Sequence, residues 1–268
     1  MIFGGGINQI ELVREARKLG MTTVTVDPQE DPPGKKEADF FYMIDGNDYE
    51  TTRLVALKHE ICGIVTGQME KPLRLMARLA EELGLIFNSP EVTERCLDKW
   101  LMKKAFQCSN ITCARGLLIG KQEIISVAMM EGFEFPVIVK PRDSFSSRGV
   151  FRCETFDELL KYAEKSREYS TCGDVIVEEF LSGREYSVES VTYNGVTAVV
   201  QVTEKYITNY PATVETGHFQ PADLTTEERE AATDLVIKAV RALGITNSAS
   251  HAELMITQSG PAMIELGA

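Results

Sequence analysis

Basic residues are the minority charge in this chain: 28 lysines and arginines stand against 40 aspartates and glutamates, a formal net charge of −12. That balance excludes the basic footprint of a nucleic-acid-binding protein, yet it leaves room for a locally basic pocket around a polyanion. Histidine is scarce. His59, His218 and His251 are too scattered to form a metal motif by themselves. The six cysteines (Cys62, Cys96, Cys108, Cys113, Cys153 and Cys172) contain no CxxC pair and no zinc spacing, so reduced, mostly buried thiols are expected. Long hydrophobic runs are also missing. Stretches such as Phe135 to Val139 are far too short to span a bilayer. Met1 to Gly6 carries no basic segment and no cleavage site, so no signal peptide and a cytoplasmic location are expected. The single tryptophan, Trp100, and the Met129-Met130 pair read as packing residues. No internal repeat, low-complexity tract or Ser/His/Asp or Cys/His nucleophile arrangement is present.

What is present is enough apolar sequence, 44% of 268 residues, for a large core and more than one domain. The first stretch alternates strand and helix. A strand start at Met1 to Phe3 and the turn Gly4-Gly5-Gly6 lead into a helix over Ile10 to Leu19 that stops at Gly20. Thr22 to Val26 and Phe40 to Ile44 read as strands, Tyr49 to Glu60 as a helix, Ile61 to Val65 as a strand, and Pro72 to Leu83 as a helix. That order predicts a doubly wound parallel sheet. Ser89 before Pro90 caps a further helix, and another is expected over Asp98 to Cys108. Beyond it the pattern becomes mixed: strands at Pro136 to Lys140 and Val175 to Glu179, with a helix at Thr155 to Arg167 between them. Then come strands at Glu185 to Tyr193 and Val196 to Glu204, a loop around Pro211 to Pro221, a capped helix over Thr225 to Leu243, and two strands joined by Thr257 to Gly260. The boundaries so drawn are 1–90 for an N-terminal α/β domain, 91–110 for linking helices, 111–178 for a lid subdomain and 179–268 for a C-terminal subdomain.

Several charged residues sit where burial would be expensive without a partner. Lys140 ends an apolar strand, and the polar loop Ser144 to Gly149 follows it, with hydroxyls on Ser146 and Ser147 and a glycine at Gly149 suited to phosphate oxygens. Glu178 and Glu179 end another apolar strand, Phe180 and Leu181 follow, and Glu185 lies past a turn; free backbone groups there can meet an adenine edge and a carboxylate can accept from ribose hydroxyls. Glu253 and Glu265 lie on neighbouring strands where two carboxylates can share a cation, and hard oxygen ligands suit Mg²⁺. Gly4-Gly5-Gly6 departs from the GxGxxG spacing and is a weak dinucleotide signal; a tight strand-to-helix turn is the better reading.

Taken in order along essentially the whole chain, these segments resemble the ATP-grasp superfamily, and amino-acid ligases, the carbamoyl-phosphate synthase large subunit and phosphoribosylamine–glycine ligase within it. The resemblance implies a fold of both α/β and α+β character: a doubly wound N-terminal domain, a mobile lid and a C-terminal mixed or antiparallel-sheet domain. It implies that Lys99 and Lys140 contact ATP, that Ser146, Ser147 and Gly149 belong to the loop over its phosphates, that Glu178, Glu179, Phe180 and Leu181 form the adenine hinge, and that Glu185 meets the ribose. Glu253 and Glu265 take the places of the ligands to Mg²⁺, or to Mn²⁺ in its stead. The implied activity is an ATP-dependent carboxylate–amine ligase working through an acylphosphate, with small carboxylates and amines, amino acids among them, as substrates. His251, on the strand face of Glu253, and Lys140 are the candidate catalytic groups, and His218, in Glu215-Thr216-Gly217-His218-Phe219-Gln220-Pro221, is the candidate substrate residue. Gly267 stands where the family usually has a metal-binding asparagine, and members usually continue past Ala268 with an arginine-bearing loop, so an incomplete C-terminal subdomain is expected. A non-catalytic ATP-binding module and a carbamoyl-phosphate-synthase-like enzyme are the alternatives, and a nicotinamide-dependent oxidoreductase rests only on Gly4 to Gly6. No nucleic-acid or membrane partner is expected; a homo-oligomer is allowed.

Overall fold

A computed structural model of the chain describes residues 1–208 and 215–268. They form two compact units, Met1–Glu94 and Arg95–Ala268.

In the first unit, strands β1 (Ile2–Phe3), β2 (Val24–Asp27), β3 (Phe40–Met43) and β4 (Val65–Thr66) alternate with helices α1 (Ile10–Lys18), α2 (Tyr49–Lys58) and α3 (Leu73–Leu83). All the strand pairs are parallel, in the order β3-β2-β1-β4. The chain steps outward from β1 to β3 and then crosses to the other side of β1, which with right-handed crossovers makes the sheet doubly wound. Local chemistry sets the boundaries. The Asp48 side chain accepts from Thr51 N–H ahead of α2, and the left-handed Gly84 closes α3. The strand expected at Ile61 to Val65 shrinks to Val65–Thr66. Ile61 N–H still bonds to Ala56 O, so these residues finish the end of α2 before a strand begins. Gly4-Gly5-Gly6 is a packed turn. Gly5 N–H donates to Asp27 Oδ2 at 2.7 Å, the buried Gln9 amide reaches Gly67 O, and a side chain on Gly5 would run into Pro32.

Helix α4 (Pro90–Leu97) carries the chain into the second unit, with Ser89 Oγ accepting from Val92 N–H. Helix α5 (Lys99–Cys108) follows, capped by Asp98. A four-stranded antiparallel sheet, in the order β5-β8-β6-β7, is built from β5 (Gly116–Ile119), β6 (Val137–Pro141), β7 (Phe151–Cys153) and β8 (Val175–Glu179), with helix α6 (Phe156–Arg167) between β7 and β8. Val137, Val139, Val175 and Val177 enter a core with Leu159 and Ala163 of α6. Strand alternation therefore sends Lys140 and Glu178 to the opposite face. Strands β5 and β7 were not anticipated; both are short.

The second sheet of this unit is antiparallel, in the order β11-β10-β9-β12-β13, formed by β9 (Arg184–Tyr193), β10 (Val196–Ile207), β11 (Glu215–Phe219), β12 (Ser248–Thr257) and β13 (Gly260–Gly267). Helix α7 (Thr226–Leu243) buries Leu235, Val236, Ala239, Val240 and Leu243. Tyr186, Val188, Val202, Ala252 and Leu254 form the fully buried side of the sheet. The stretch expected as a loop around Pro211 to Pro221 contains β11, a short edge strand; its first four positions, 211–214, lie outside the described residues. The cysteine expectation needs correcting as well. All six are free, but only Cys96 and Cys153 are buried, and burial pushes each of those thiols up to about 12. No helix among the described residues is long and apolar enough to cross a membrane.

Thr225 and Glu228 form a reciprocal capping box at the start of α7. Thr225→Ala is expected to lower unfolding free energy by about 1 kcal/mol, read as a lower urea midpoint at unchanged slope.

Candidate active site

Four lysines of the second unit are buried: Lys99, Lys103, Lys140 and Lys205. An unpaired ammonium in that environment is strongly disfavoured, and each of the four has found carboxylates.

The first cluster joins α5 to the four-stranded sheet. Lys140 Nζ lies 2.8 Å from Glu178 Oε2, and Lys103 Nζ lies 2.9 Å from Glu178 Oε1 and donates to Ala114 O at 2.6 Å. Glu178 is thus clamped between two lysines. Burial pushes its carboxyl up, but the two ammonium charges outweigh this and hold it below the usual range. Burial likewise pulls Lys140 down, and Glu178 and Glu265 more than reverse it. Lys99 Nζ donates to Ser144 O and to Glu265 Oε1, each at 2.7 Å, which ties the start of α5 to the loop and to β13. The loop base is anchored again where Lys99 N–H donates to Arg142 O, and where Arg142 pairs with Asp98 at 2.6 Å and Asp174 at 3.0 Å.

The second cluster lies on the face of the five-stranded sheet opposite α7. Lys205 Nζ is 2.6 Å from Glu253 Oε1, 2.7 Å from Glu215 Oε1 and 2.9 Å from Glu185 Oε1. His251 Nδ1 lies 2.7 Å from Glu189 Oε1, and its Nε2 lies 3.5 Å from Glu253 Oε1. Those hydrogen bonds, to Glu189 first, raise the imidazole to about 10 against the opposing effect of burial, so it is a cation at neutral pH. Burial opposes the ionisation of Glu253, but His251 and Lys205 outweigh it and hold its carboxyl well below the usual range. The clusters meet where Glu253 and Glu265 sit directly opposite each other on β12 and β13.

The structure thus brings Lys99, Lys140, Glu178 and Glu265 into one network, and Glu185, Glu253 and His251 into the other. His218 pairs across strands with Lys205 and reaches Glu215 Oε2 at 3.4 Å, so it joins the second network at its edge. Ser146 and Ser147 lie exposed at the loop tip, both with left-handed backbone (φ 59° and 54°). Gly149 is required at its position: its φ is +78°, and a side chain would meet Pro141 and Tyr169. Glu179 departs from expectation in its side chain. One residue beyond Glu178, it faces the other way and pairs with Arg115 at 3.1 Å. Phe180 lies under the Arg152 guanidinium at 4.4 Å, and the backbone N–H of Leu181 has no partner among the described residues. At Gly183, which ends this connection between the two sheets, any side chain would strike the carbonyl oxygen of Ile256 on β12.

Sequence reasoning missed Lys103, Lys205, Glu189 and Glu215. Lys103 carried a signal: it lies one turn after Lys99 on the same helix face. Glu215 stands three residues before His218. Lys205 and Glu189 gave none.

A divalent cation fits the donor set. Glu253 and Glu265 provide facing hard oxygens, and the lysine contact to each is through Oε1 alone. Among the described residues no group of three acidic, histidine or cysteine side chains is arranged to hold a metal. The two carboxylates alone would leave most of an octahedral shell to other oxygen donors.

The model of the ATP-grasp domain family matches residues 133–268. The chain is 28% identical over 242 residues to dapdiamide A synthase of Enterobacter agglomerans, covering 86% of this chain and 55% of that protein. It is 28% identical over 208 residues to the D-alanine–D-alanine ligase of Haemophilus ducreyi, covering 74% and 67%. Among solved structures, an L-amino acid ligase from Bacillus licheniformis superposes with a TM-score of 0.85 at 24% identity, covering 100% of this chain and 66% of that one. A phosphoribosylglycinamide synthetase from Anaerococcus prevotii gives 0.79 at 24%, covering 99% and 66%. The chain thus spans between about half and two thirds of the length of these relatives.

Removing Glu178 would leave two buried ammonium groups facing each other. Glu178→Ala is expected to cost about 3–5 kcal/mol of stability, measured by chemical denaturation. The wild-type contribution is present above the ordinary carboxylate pKa and is lost as pH falls through the lowered native value. His251 works in the opposite sense. In nucleotide- and metal-free protein, its NMR titration should fall near about 10. Its stabilising effect is complete below the ordinary imidazole pKa and fades as pH rises through the native one. Glu189→Gln should bring the titration down markedly; an unmoved midpoint would contradict the assigned pairing.

Proposed function

The chain belongs to the ATP-grasp family, and from that premise we propose that it binds ATP with a divalent cation and activates a carboxylate as an acylphosphate for attack by an amine. The observation that carries this reading is the division of charge around the four buried lysines. In the first cluster three lysines face two glutamates; in the second, one lysine and one imidazolium face four. The first has positive charge to offer a polyphosphate, and the second has negative charge to offer a metal ion or an ammonium group.

In this reading Lys99 and Lys140 neutralise phosphate oxygens, and Ser146, Ser147 and Gly149 close over them with hydroxyl and backbone donors. The backbone from Glu178 to Leu181 meets the adenine edge; Glu179 contributes its main chain, since its carboxylate is held by Arg115. Glu185 serves the ribose. Glu253 and Glu265 would hold Mg²⁺, which when bound would supply screening of the transferred phosphoryl charge. The substrate carboxylate attacks the γ-phosphorus as the bond to ADP breaks. The amine then displaces phosphate, forming the C–N bond and losing a proton. No protein nucleophile is called for; catalysis is positioning and charge neutralisation. The His251 imidazolium acts as a fixed positive charge beside the developing acyl or phosphoryl charge. Glu215 and His218, on the edge strand, face the substrate, and an amino acid's ammonium suits the acidic surplus. The names of the ligase relatives support this substrate class. One observation favours a nucleotide-binding module without turnover: Gly267, opposite His251, supplies no side-chain ligand.

Calorimetry with ATP, with and without Mg²⁺, tests the proposal. Mg²⁺-assisted binding is expected, weakened roughly 10–100-fold by Lys140→Ala, as for one lost charge-assisted contact, and losing its Mg²⁺ dependence in Glu265→Gln. ATP binding without phosphate release from any carboxylate and amine pair would favour the module. No binding by folded wild-type protein would refute both.

A further inference from the structure

The loop Ser144 to Gly149 is held in a conformation it would not adopt by itself. Ser146 and Ser147 are both left-handed, at φ 59° and 54°, where residues with a side chain are uncommon and strained. The backbone hydrogen bonds inside the loop are long: Arg148 N–H reaches Phe145 O at 3.4 Å, and Val150 N–H reaches Ser147 O at 3.3 Å. Contacts from outside must therefore fix it. Lys99, which donates to Ser144 O, is one. The turn between α6 and β8 is another, and it grips both ends of the loop. At the entry, Asp143 Oδ1 accepts from the Ser170 hydroxyl at 2.7 Å and from Thr171 N–H at 3.1 Å, while Oδ2 accepts from Cys172 N–H at 3.1 Å. The Ser170 oxygen itself accepts from Gly173 N–H at 3.0 Å, which leaves its proton for Asp143. At the exit, Gly149 lies against Tyr169, the neighbour of Ser170; a Cβ on Gly149 would come within 2.9 Å of Tyr169 Cδ2. Burial pushes the Asp143 carboxyl up, and the donors of the turn more than reverse it.

We propose that Asp143 is a positioning residue: with Gly149 packed on Tyr169, it clasps the loop at both ends to the turn after α6 and so sets the conformation in which Ser146 and Ser147 are presented. Hydrogen bonds to an ionised carboxylate are the strong kind, and three of them converge on this one side chain. The clasp rests on geometry alone; that the loop it shapes serves phosphate oxygens rests on the ligase reading above.

Arg148 is exposed within the loop, so trypsin reports on the loop directly in nucleotide-free protein. The cut after Arg148 is followed by mass spectrometry, with cuts at Lys161 and Lys165 of α6 as the control. Asp143→Ala is expected to speed the Arg148 cut about tenfold, as for lost hydrogen bonds to a charged group, and to leave the α6 cuts unchanged. Ser170→Ala should speed it less, and adding Ser170→Ala to Asp143→Ala should change nothing further, because the two act through one contact. Asp143→Asn, which keeps an acceptor of the same shape, should recover part of the resistance. The clasp is overturned if Asp143→Ala is cut after Arg148 at the wild-type rate. It is equally overturned if Asp143→Ala and Ser170→Ala both unfold or open α6 as much as the loop. Calorimetry with Mg²⁺ and ATP tests the positioning role: Asp143→Ala should bind roughly tenfold more weakly, and a loosened loop with unchanged ATP affinity would overturn it. If wild-type protein binds no ATP, the ligase reading fails, while a faster Arg148 cut in Asp143→Ala still supports the clasp.

Discussion

A charged ammonium has no place inside a protein unless something nearby carries the opposite charge, and the second unit of this chain keeps four of them inside. The partners are remote in sequence. Lys99 meets Glu265 across 166 positions and Lys205 meets Glu253 across 48. Each pairing therefore works as a long-range constraint, holding α5 against β13, β6 against β8, and β10 against its neighbours on both sides. Hydrophobic packing between α7 and its sheet supplies bulk stability, as it would in many unrelated proteins. The ion pairs decide which charges face inward, and at what spacing.

That arrangement is made before any ligand arrives. The positive surplus is built on the four-stranded sheet and α5, while the negative surplus is built on the five-stranded sheet. On the proposed reading, fixed charges of this kind would stabilise a charged reactant without having to reorganise. The acidic net charge of the whole chain does not reach the first cluster in full, because its lysines and Glu178 are buried away from solvent and salt.

Much of the scaffold could be read from the residues. Period-two alternation placed Lys140 at the end of a core strand, the Thr225-to-Glu228 box placed the start of α7, and the turn at Thr257 to Gly260 implied that Glu253 and Glu265 face one another. What escaped has a common physical cause: a side chain's partner across a sheet depends on register, and register is settled by tertiary packing. Lys205 looks like any charged residue in a β-branched strand until β9, β11 and β12 are aligned beside it. Strand β11 itself is five residues with a central glycine, too weak a local pattern to stand out. The same parity rule separates Glu178 from Glu179: adjacent glutamates on one strand, of which one turns inward and the other outward.

Gly183 joins the two sheets, and the absence of a side chain there lets the connection rest directly on the main chain of β12 at Ile256. Three residues earlier on β12 stands Glu253, and two residues after Gly183 stands Glu185; both are held by Lys205. The connection and the strand that carries Glu253 are therefore in register through backbone alone: where the last residue before β9 can rest is set by the main chain of β12, whichever side chains stand around it.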